Sequence, residues 1–267
     1  MTTLQYVEAG DGCRIAWRVD GPGEAPTLLL SNSLGTDLSM WAPQIEGWSR
    51  HFRVLRYDSR GHGASASPTG SYSMDRLGRD VIELLNALDL RQVDFCGLSM
   101  GGMVGQWLAI RAPERVRRLV LANTSAFMGP PSAWQSRIDG VTREGLEPLA
   151  AASIARWFTP GFPVAAAGEV ERIRAMLLAN DPAGYAGCCA AIRDMDMRPL
   201  IGLVRTPTLV IAGRHDPATP PPHSEELASG IVGARLARLE AAHLSNVECP
   251  QEFGQLVSEF LTEAADC

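Results

Sequence analysis

One serine, Ser99, lies between two glycines in Gly97-Leu98-Ser99-Met100-Gly101, which fits the pattern Gly-x-Ser-x-Gly. A short apolar run of strand type precedes it, and a pattern typical of a helix follows it over residues 100–111. Glycine lets the backbone fold back between strand and helix because it has no Cβ. This context predicts a sharp turn that presents the Ser99 hydroxyl as a nucleophile, the alternative being a structural Gly-Ser turn.

A serine hydroxyl needs a base to take its proton and an acid to orient that base. In this arrangement the chain order is serine, acid, histidine. His243 follows the last predicted strand and is the predicted base, the alternative being a packed histidine at a helix entry. Asp216 follows the predicted strand 208–212 in a turn rich in proline and glycine, and is the predicted acid. Asp194 and Asp196 are rivals, but no predicted strand positions them.

Two backbone N–H groups are expected to bind the oxyanion of an acyl-transfer reaction. The first is the N–H of Met100, directly after the nucleophile. The second should come from the loop after the apolar run 27–31, where Leu34 is the predicted donor and Ser33 the alternative.

The segment Asp58-Ser59-Arg60-Gly61-His62-Gly63 also combines groups that could bind a metal or exchange protons. Its glycines fit a tight turn at a strand end, and Asp58 and Arg60 could lock that loop. We therefore favour a structural role for this segment over a catalytic one.

Several elements must position these groups. Strand patterns cover residues 13–19, 27–31, 52–57, 93–96, 118–122, 208–212 and 234–239, and helical patterns cover residues 73–88, 100–111 and 250–262. Such alternation predicts an α/β fold with a mostly parallel central sheet flanked by helices.

Residues 124–205 interrupt the alternation with helical patterns near residues 134–138, 149–157, 169–179 and 183–194. About 80 residues are too many for an ordinary crossover. The sequence therefore predicts a core domain, 1–123 and 206–267, with a helical cap inserted at 124–205.

Composition excludes several function classes. The chain has 267 residues, 46% hydrophobic content and a net charge of −6, which disfavours nucleic acid or an anionic membrane as the partner. We read no signal peptide and no apolar run of the roughly 20 residues that span a bilayer. The six cysteines show no metal-ligand spacing. We expect a cytoplasmic protein with reduced thiols and no metal, and its oligomeric state stays open.

Four segments in this order resemble the α/β-hydrolase superfamily over nearly the whole chain: "YDSRGHGAS", the Ser99 turn, "IAGRHDPATPP" and the stretch around His243. Many relatives carry His-Gly where this chain has Asn32-Ser33. The version "SNSLGTDLSMW", with "GLSMGGMVGQWLA", is similar to the 3-oxoadipate enol-lactonases of the β-ketoadipate pathway of aromatic catabolism.

The resemblance implies an α/β-hydrolase fold and a cofactor-free serine hydrolase that opens an enol-lactone with water to give 3-oxoadipate. The implied substrate carries a carboxylate, which would be bound by a cationic side chain or by several hydrogen-bond donors. Arg137 is a candidate, with Arg156 and Arg193 as rivals, and Trp134 and Trp157 are candidates for the pocket wall. The alternatives are a broad carboxylesterase or perhydrolase, and a non-catalytic ligand receptor.

Overall fold

One sheet forms the centre of residues 3–263, the part of the chain that the computed structural model describes. Its strands are β1 (Gln5–Glu8), β2 (Arg14–Asp20), β3 (Thr27–Ser31), β4 (Arg53–Tyr57), β5 (Val93–Leu98), β6 (Val116–Ala122), β7 (Thr208–Gly213) and β8 (Arg235–Leu239). They lie in the order β1-β2-β4-β3-β5-β6-β7-β8. The β1–β2 and β2–β4 pairs are antiparallel and the others are parallel, which confirms the predicted α/β fold.

The α-helices of the same residues are α1 (Ala42–Trp48), α2 (Met74–Ala87), α3 (Met100–Arg111), α4 (Pro131–Glu144), α5 (Glu147–Trp157), α6 (Phe162–Ala165), α7 (Ala167–Leu178), α8 (Pro182–Asp194), α9 (Pro221–Gly230), α10 (Ser245–Glu248) and α11 (Pro250–Thr262). Short 3-10 helices cover Leu38–Trp41, Pro113–Arg115 and Ile201–Leu203. Ser73 caps the N-terminus of α2, because its side chain accepts the Arg76 N–H.

The central strands explain the continuous apolar runs in the sequence. Every residue of β5 and β7 is buried, and Leu28, Leu29 and Leu30 of β3 expose no surface. Such runs are typical of parallel strands that are covered on both faces.

The chain order in the sheet reverses at β3, which lies between β4 and β5. From β3 the chain passes to β4 on one side and later to β5 on the other. Loops that leave the carboxyl ends of strands at such a reversal diverge and open a crevice. The loop after β3 and the turn at Ser99 therefore flank the expected place for a site.

Several elements were not predicted. In β1, three of the four residues are exposed, so the strand lacks the apolar alternation that would reveal it. Helix α4 extends well beyond the predicted 134–138, and Val141 is its one buried residue, so its periodicity is weak. Helices α1 and α9 begin with prolines near their first turn, a position that proline tolerates.

Helices α4 to α8 lie in sequence between β6 and β7, as expected of an insertion. An isolated bridge between Phe127 and Asp196 joins the two ends of this segment, and the Met197 N–H donates to the Ala126 carbonyl at 2.8 Å. We propose residues 124–205 as a cap on this basis.

No helix of residues 3–263 is both long and apolar enough to cross a membrane. The cysteines Cys13, Cys96, Cys188, Cys189 and Cys249 form no disulfide, and Cys267 lies outside the described residues.

Candidate active site

The turn at Ser99 is strained in the way its glycines predict. Ser99 has φ 56° and ψ −116°, in the left-handed half of the backbone map that non-glycine residues rarely adopt. A Cβ at Gly97 would lie 2.2 Å from the Gly101 carbonyl oxygen, and one at Gly101 would lie 2.1 Å from that of Ser31. Both glycines are therefore needed for the close approach of β5, α3 and the end of β3.

Backbone hydrogen bonds hold Ser99 in this conformation. Its N–H donates to the Ala122 carbonyl at 2.9 Å, and its carbonyl accepts the Thr124 hydroxyl at 2.7 Å. Ser99 thus lies at the carboxyl edge of the sheet, at the first turn of α3. The N-terminus of a helix favours negative charge at this point.

His243 and Asp216, which follow β8 and β7, are hydrogen-bonded to each other. His243 Nδ1 lies 2.8 Å from Asp216 Oδ2, and both side chains are buried. A carboxylate can only accept, so Nδ1 carries a proton, and in the neutral form of the ring Nε2 is the nitrogen that can act as a base.

Asp216 is held by further donors that the sequence analysis missed. Its Oδ1 accepts the N–H groups of Ala218 and Thr219, and its Oδ2 accepts the Thr219 hydroxyl at 2.7 Å and Asn123 Nδ2 at 3.0 Å. Burial alone would raise the pKa of Asp216. The positive charge that His243 carries when its ring is protonated, and the hydrogen bonds from His243, Thr219 and Asn123, outweigh burial and lower the pKa below its usual value.

A cavity of about 200 Å³ brings the predicted groups together. Ser99 and His243 both line it, and Asp216 lies behind His243. Within residues 3–263 no hydrogen bond joins Ser99 Oγ to His243; such bonds are commonly long until a substrate binds. The cavity is smaller than the roughly 300–1,000 Å³ of pockets that bind drug-sized ligands, so it suits a molecule smaller than a typical drug.

The loop after β3 presents its backbone to the same cavity. Ser33 and Leu34 both line it, but the Ser33 N–H points at Met40 Sδ, 3.4 Å away. That contact favours Leu34 over Ser33 as a donor to a ligand. Met100 is fully buried and does not line the cavity, although its N–H directly follows Ser99 at the start of α3.

The cap forms the other wall. Trp134, Trp157, Arg137 and Arg156 all line the cavity. The Arg137 guanidinium lies 4.9 Å from the centroid of the Trp134 ring. Within residues 3–263, neither Arg137 nor Arg156 forms an ion pair with a carboxylate. Burial lowers the pKa of Arg156, and the charge of Arg137 lowers it further. Two cations that have no acidic partner in the described part of the chain therefore face one small space.

Other candidates lie apart from the cavity. Arg193 pairs with the exposed Asp194 at 2.7 Å and does not line the cavity, so it lies apart from the other two candidate arginines. Asp196 pairs with Arg198 at 2.6 Å, which removes both acidic rivals of Asp216. Tyr185 lines the cavity and was missed, because nothing in the sequence of α8 marks which face meets the site.

The segment 58–63 serves the structure, as favoured from its sequence. Asp58 accepts the N–H groups of Leu38 and Ala64, and Arg60 forms a buried ion pair with Asp80. Burial raises the pKa of Asp58 to about 7. His62 is also buried, which lowers its pKa to about 4, and its Nε2 accepts the Gly35 N–H at 2.9 Å.

Comparison with known proteins gives a consistent family. The profile of a family described as "alpha/beta hydrolase fold" matches residues 26–250. The 3-oxoadipate enol-lactonase 2 of Acinetobacter baylyi is 47% identical over 237 residues, 89% of each chain. The enol-lactonase structure from Burkholderia xenovorans LB400 is 44% identical, with a TM-score of 0.95 over 97% of this chain and 100% of that one.

This chain is also similar to a protein that is named for a different substrate class. A Rhizobium rhizogenes protein named as the carbamate hydrolase RutD is 34% identical over 249 residues, 89% of this chain and 93% of its own. The similarity therefore extends to hydrolases of more than one named substrate class.

Proposed function

Because this chain belongs to the α/β hydrolase fold family, we propose that it is a serine hydrolase that opens 3-oxoadipate enol-lactone to 3-oxoadipate. One observation carries the proposal. One small cavity holds the Ser99 hydroxyl on a strained turn, an imidazole bonded to a carboxylate, and two arginines that have no acidic partner among residues 3–263. Similarity to the enol-lactonases supports the substrate.

In the first step Ser99 Oγ attacks the lactone carbonyl while His243 Nε2 takes the hydroxyl proton. Asp216 keeps the ring in the required tautomer and stabilises its charged form. The negative charge develops on the former carbonyl oxygen, where the N–H groups of Leu34 and Met100 are the proposed donors.

Collapse of this tetrahedral species breaks the ring C–O bond and leaves an acyl group on Ser99. The leaving oxygen takes the proton from His243 as an enol, which rearranges to the ketone. An enol is a better leaving group than a simple alcohol, so this half-reaction needs no metal to polarise the carbonyl. Water, deprotonated by His243 Nε2, then attacks the ester carbonyl. The second tetrahedral species collapses as the Ser99 oxygen leaves and takes that proton back from His243, which releases the second carboxylate and restores the Ser99 hydroxyl.

The charge in the cap suits this substrate. Arg137 and Arg156 would bind the substrate carboxylate, because a guanidinium can form paired, charge-assisted hydrogen bonds with a carboxylate. Trp134 and Trp157 would pack against the apolar part of the ring. A neutral ester gains nothing from the arginines, so the pair favours a substrate that carries an acid.

The experiment compares three substrates: the enol-lactone, followed by its ultraviolet absorbance, p-nitrophenyl acetate, and a simple carbamate. Ser99→Ala should lower kcat by several orders of magnitude, since the members of such a triad act as a unit. Ser224→Ala is the matched control, because Ser224 is buried outside the cavity and its hydroxyl makes no hydrogen bond with any of residues 3–263.

A clear preference for the lactone over both other substrates supports the proposal. Efficient turnover of the ester or carbamate with negligible lactone turnover would replace it by another hydrolase activity. Equal behaviour of wild type and Ser99→Ala on all three substrates would favour a ligand receptor instead.

A further inference from the structure

The loop that presents Leu34 is a tight turn with one glycine under unusual constraint. The Thr36 N–H and the Thr36 hydroxyl both donate to the Ser33 carbonyl, at 3.2 and 2.8 Å. Leu34 and Gly35 are the two central residues of this turn, and Gly35 has φ +81°. A positive φ at the third position is typical of a type II turn, which requires glycine there.

Both backbone polar groups of Gly35 are bound by side chains from outside the turn. Its N–H donates to His62 Nε2 at 2.9 Å, and its carbonyl accepts Asn180 Nδ2 at 3.0 Å. His62 follows β4, whereas Asn180 lies in the cap between α7 and α8. The loop after β4 and the cap therefore both form hydrogen bonds with Gly35, the residue that follows Leu34.

Further hydrogen bonds fix the orientation of the Asn180 side-chain amide. Besides Gly35, its Nδ2 donates to the carbonyls of Met176 and Leu177, and its Oδ1 accepts the Gly63 N–H at 3.1 Å. Asn180 is 5% exposed. One cap side chain thus ties the turn at Gly35 to the loop that carries His62.

The cap also packs directly against this turn. A Cβ at Gly35 would lie 2.7 Å from Leu177 Cδ1 and 3.4 Å from Trp157 Cη2. Close packing and two hydrogen bonds together leave little freedom for the peptide groups on either side of Gly35. An oxyanion donor stabilises a transition state best when it is fixed before the charge develops.

We propose that His62 and Asn180 are positioning residues that fix Gly35 and so aim the Leu34 N–H at the oxyanion. The inference rests on the proposed function, in which Leu34 is one of the two donors. It gives the cap a part in stabilising the transition state through the turn, beyond any contact between the cap and the substrate.

The test measures kcat and KM for the enol-lactone, melting temperature, and inhibition by an aryl boronic acid, which forms a tetrahedral adduct with an active serine. His62→Leu removes the acceptor for Gly35, and Asn180→Asp replaces the donor by an oxygen. Each should lower kcat about 10- to 100-fold, less than the 10²–10³-fold loss of a whole donor. KM should change less than threefold, and boronate affinity should fall with kcat/KM.

His62→Gln is the conservative variant, since its side-chain oxygen can accept the Gly35 N–H, and it should keep kcat within about fivefold of wild type. Ile173→Ala is the stability control, because Ile173 is buried in α7 and does not line the cavity. It should lower the melting temperature without the loss of kcat. The double variant His62→Leu/Asn180→Asp should lose less than the product of the single losses, since both act on Gly35.

An unchanged kcat in His62→Leu and Asn180→Asp would overturn the positioning role. An equal loss of kcat in Ile173→Ala would overturn it too, as would a loss of kcat/KM that arises from a raised KM. If a variant fails to fold, the remaining single variant and His62→Gln still decide the question. Failure of the proposed function is a separate result: wild type would then show no Ser99-dependent turnover of the lactone, and the inference would fall with it.

Discussion

Acid should destabilise the folded chain through His62. The ring is 1% exposed, and burial lowers its pKa from 6.5 to about 4. Its Nε2 must also stay unprotonated to accept the Gly35 N–H. In the unfolded chain the His62 ring binds a proton near pH 6.5, whereas in the folded chain it binds one only near pH 4. Between these values the unfolded state holds more protons, so stability falls as the pH falls.

The loss of unfolding free energy follows from the difference between the pKa of His62 in the unfolded chain and in the folded chain. At about 1.4 kcal/mol per pKa unit, a drop from 6.5 to about 4 corresponds to about 3 kcal/mol of unfolding free energy, lost by about pH 4. Asp58 acts in the opposite direction. Its pKa rises from 3.8 to about 7, so the folded state holds the extra proton there and gains stability as the pH falls. The wild-type slope alone would therefore understate the effect of His62.

Urea unfolding of wild type and His62→Gln at several pH values separates the two groups, since both proteins keep Asp58. The glutamine does not titrate and can still accept the Gly35 N–H. The unfolding free energy of wild type relative to His62→Gln should fall by about 3 kcal/mol between pH 7.5 and pH 4. A difference that stays constant over this range would refute a neutral, buried His62.

Three further predictions concern the cavity and the turn. Gly97→Ala should abolish turnover and lower the melting temperature, because its Cβ would lie 2.2 Å from a carbonyl oxygen, whereas Gly140→Ala, which meets no atom within 4 Å, should leave activity unchanged. Asp216→Asn should lower kcat by about 10³–10⁴-fold in steady-state assays, because the amide stabilises the wrong tautomer of the histidine. Arg137→Met and Arg156→Met should each raise KM for the enol-lactone at least tenfold and leave KM for p-nitrophenyl acetate nearly unchanged; equal effects on both substrates would contradict the carboxylate role.

Local constraints made the nucleophile turn predictable from the sequence. The glycines at 97 and 101 are required by contacts within a few residues and by the neighbouring strand β3, so the pattern itself carries the geometry. The continuous apolar run at 27–31 likewise predicted β3, because a strand buried on both faces needs no alternation.

Contacts between distant segments could not be predicted in the same way. The bond between Asn180 and Gly35 joins residues 145 positions apart, and neither has an unusual neighbour in the sequence. Asn123 and Thr219 support Asp216 through side-chain bonds that depend on the packing of β6 beside β7. Of the three candidate arginines, Arg137 and Arg156 line the cavity and Arg193 does not, a difference that periodicity could not reveal because it does not say which face of a helix meets a cavity.

The most direct test of the account is the identification of the covalent intermediate. Rapid quenching of the enol-lactone reaction in acid, followed by digestion and mass spectrometry, should find the opened acyl group on the peptide that contains Ser99. The adduct should be absent from Ser99→Ala, which should also have lost turnover. An acyl group on another residue, or full lactone turnover by Ser99→Ala, would contradict the account.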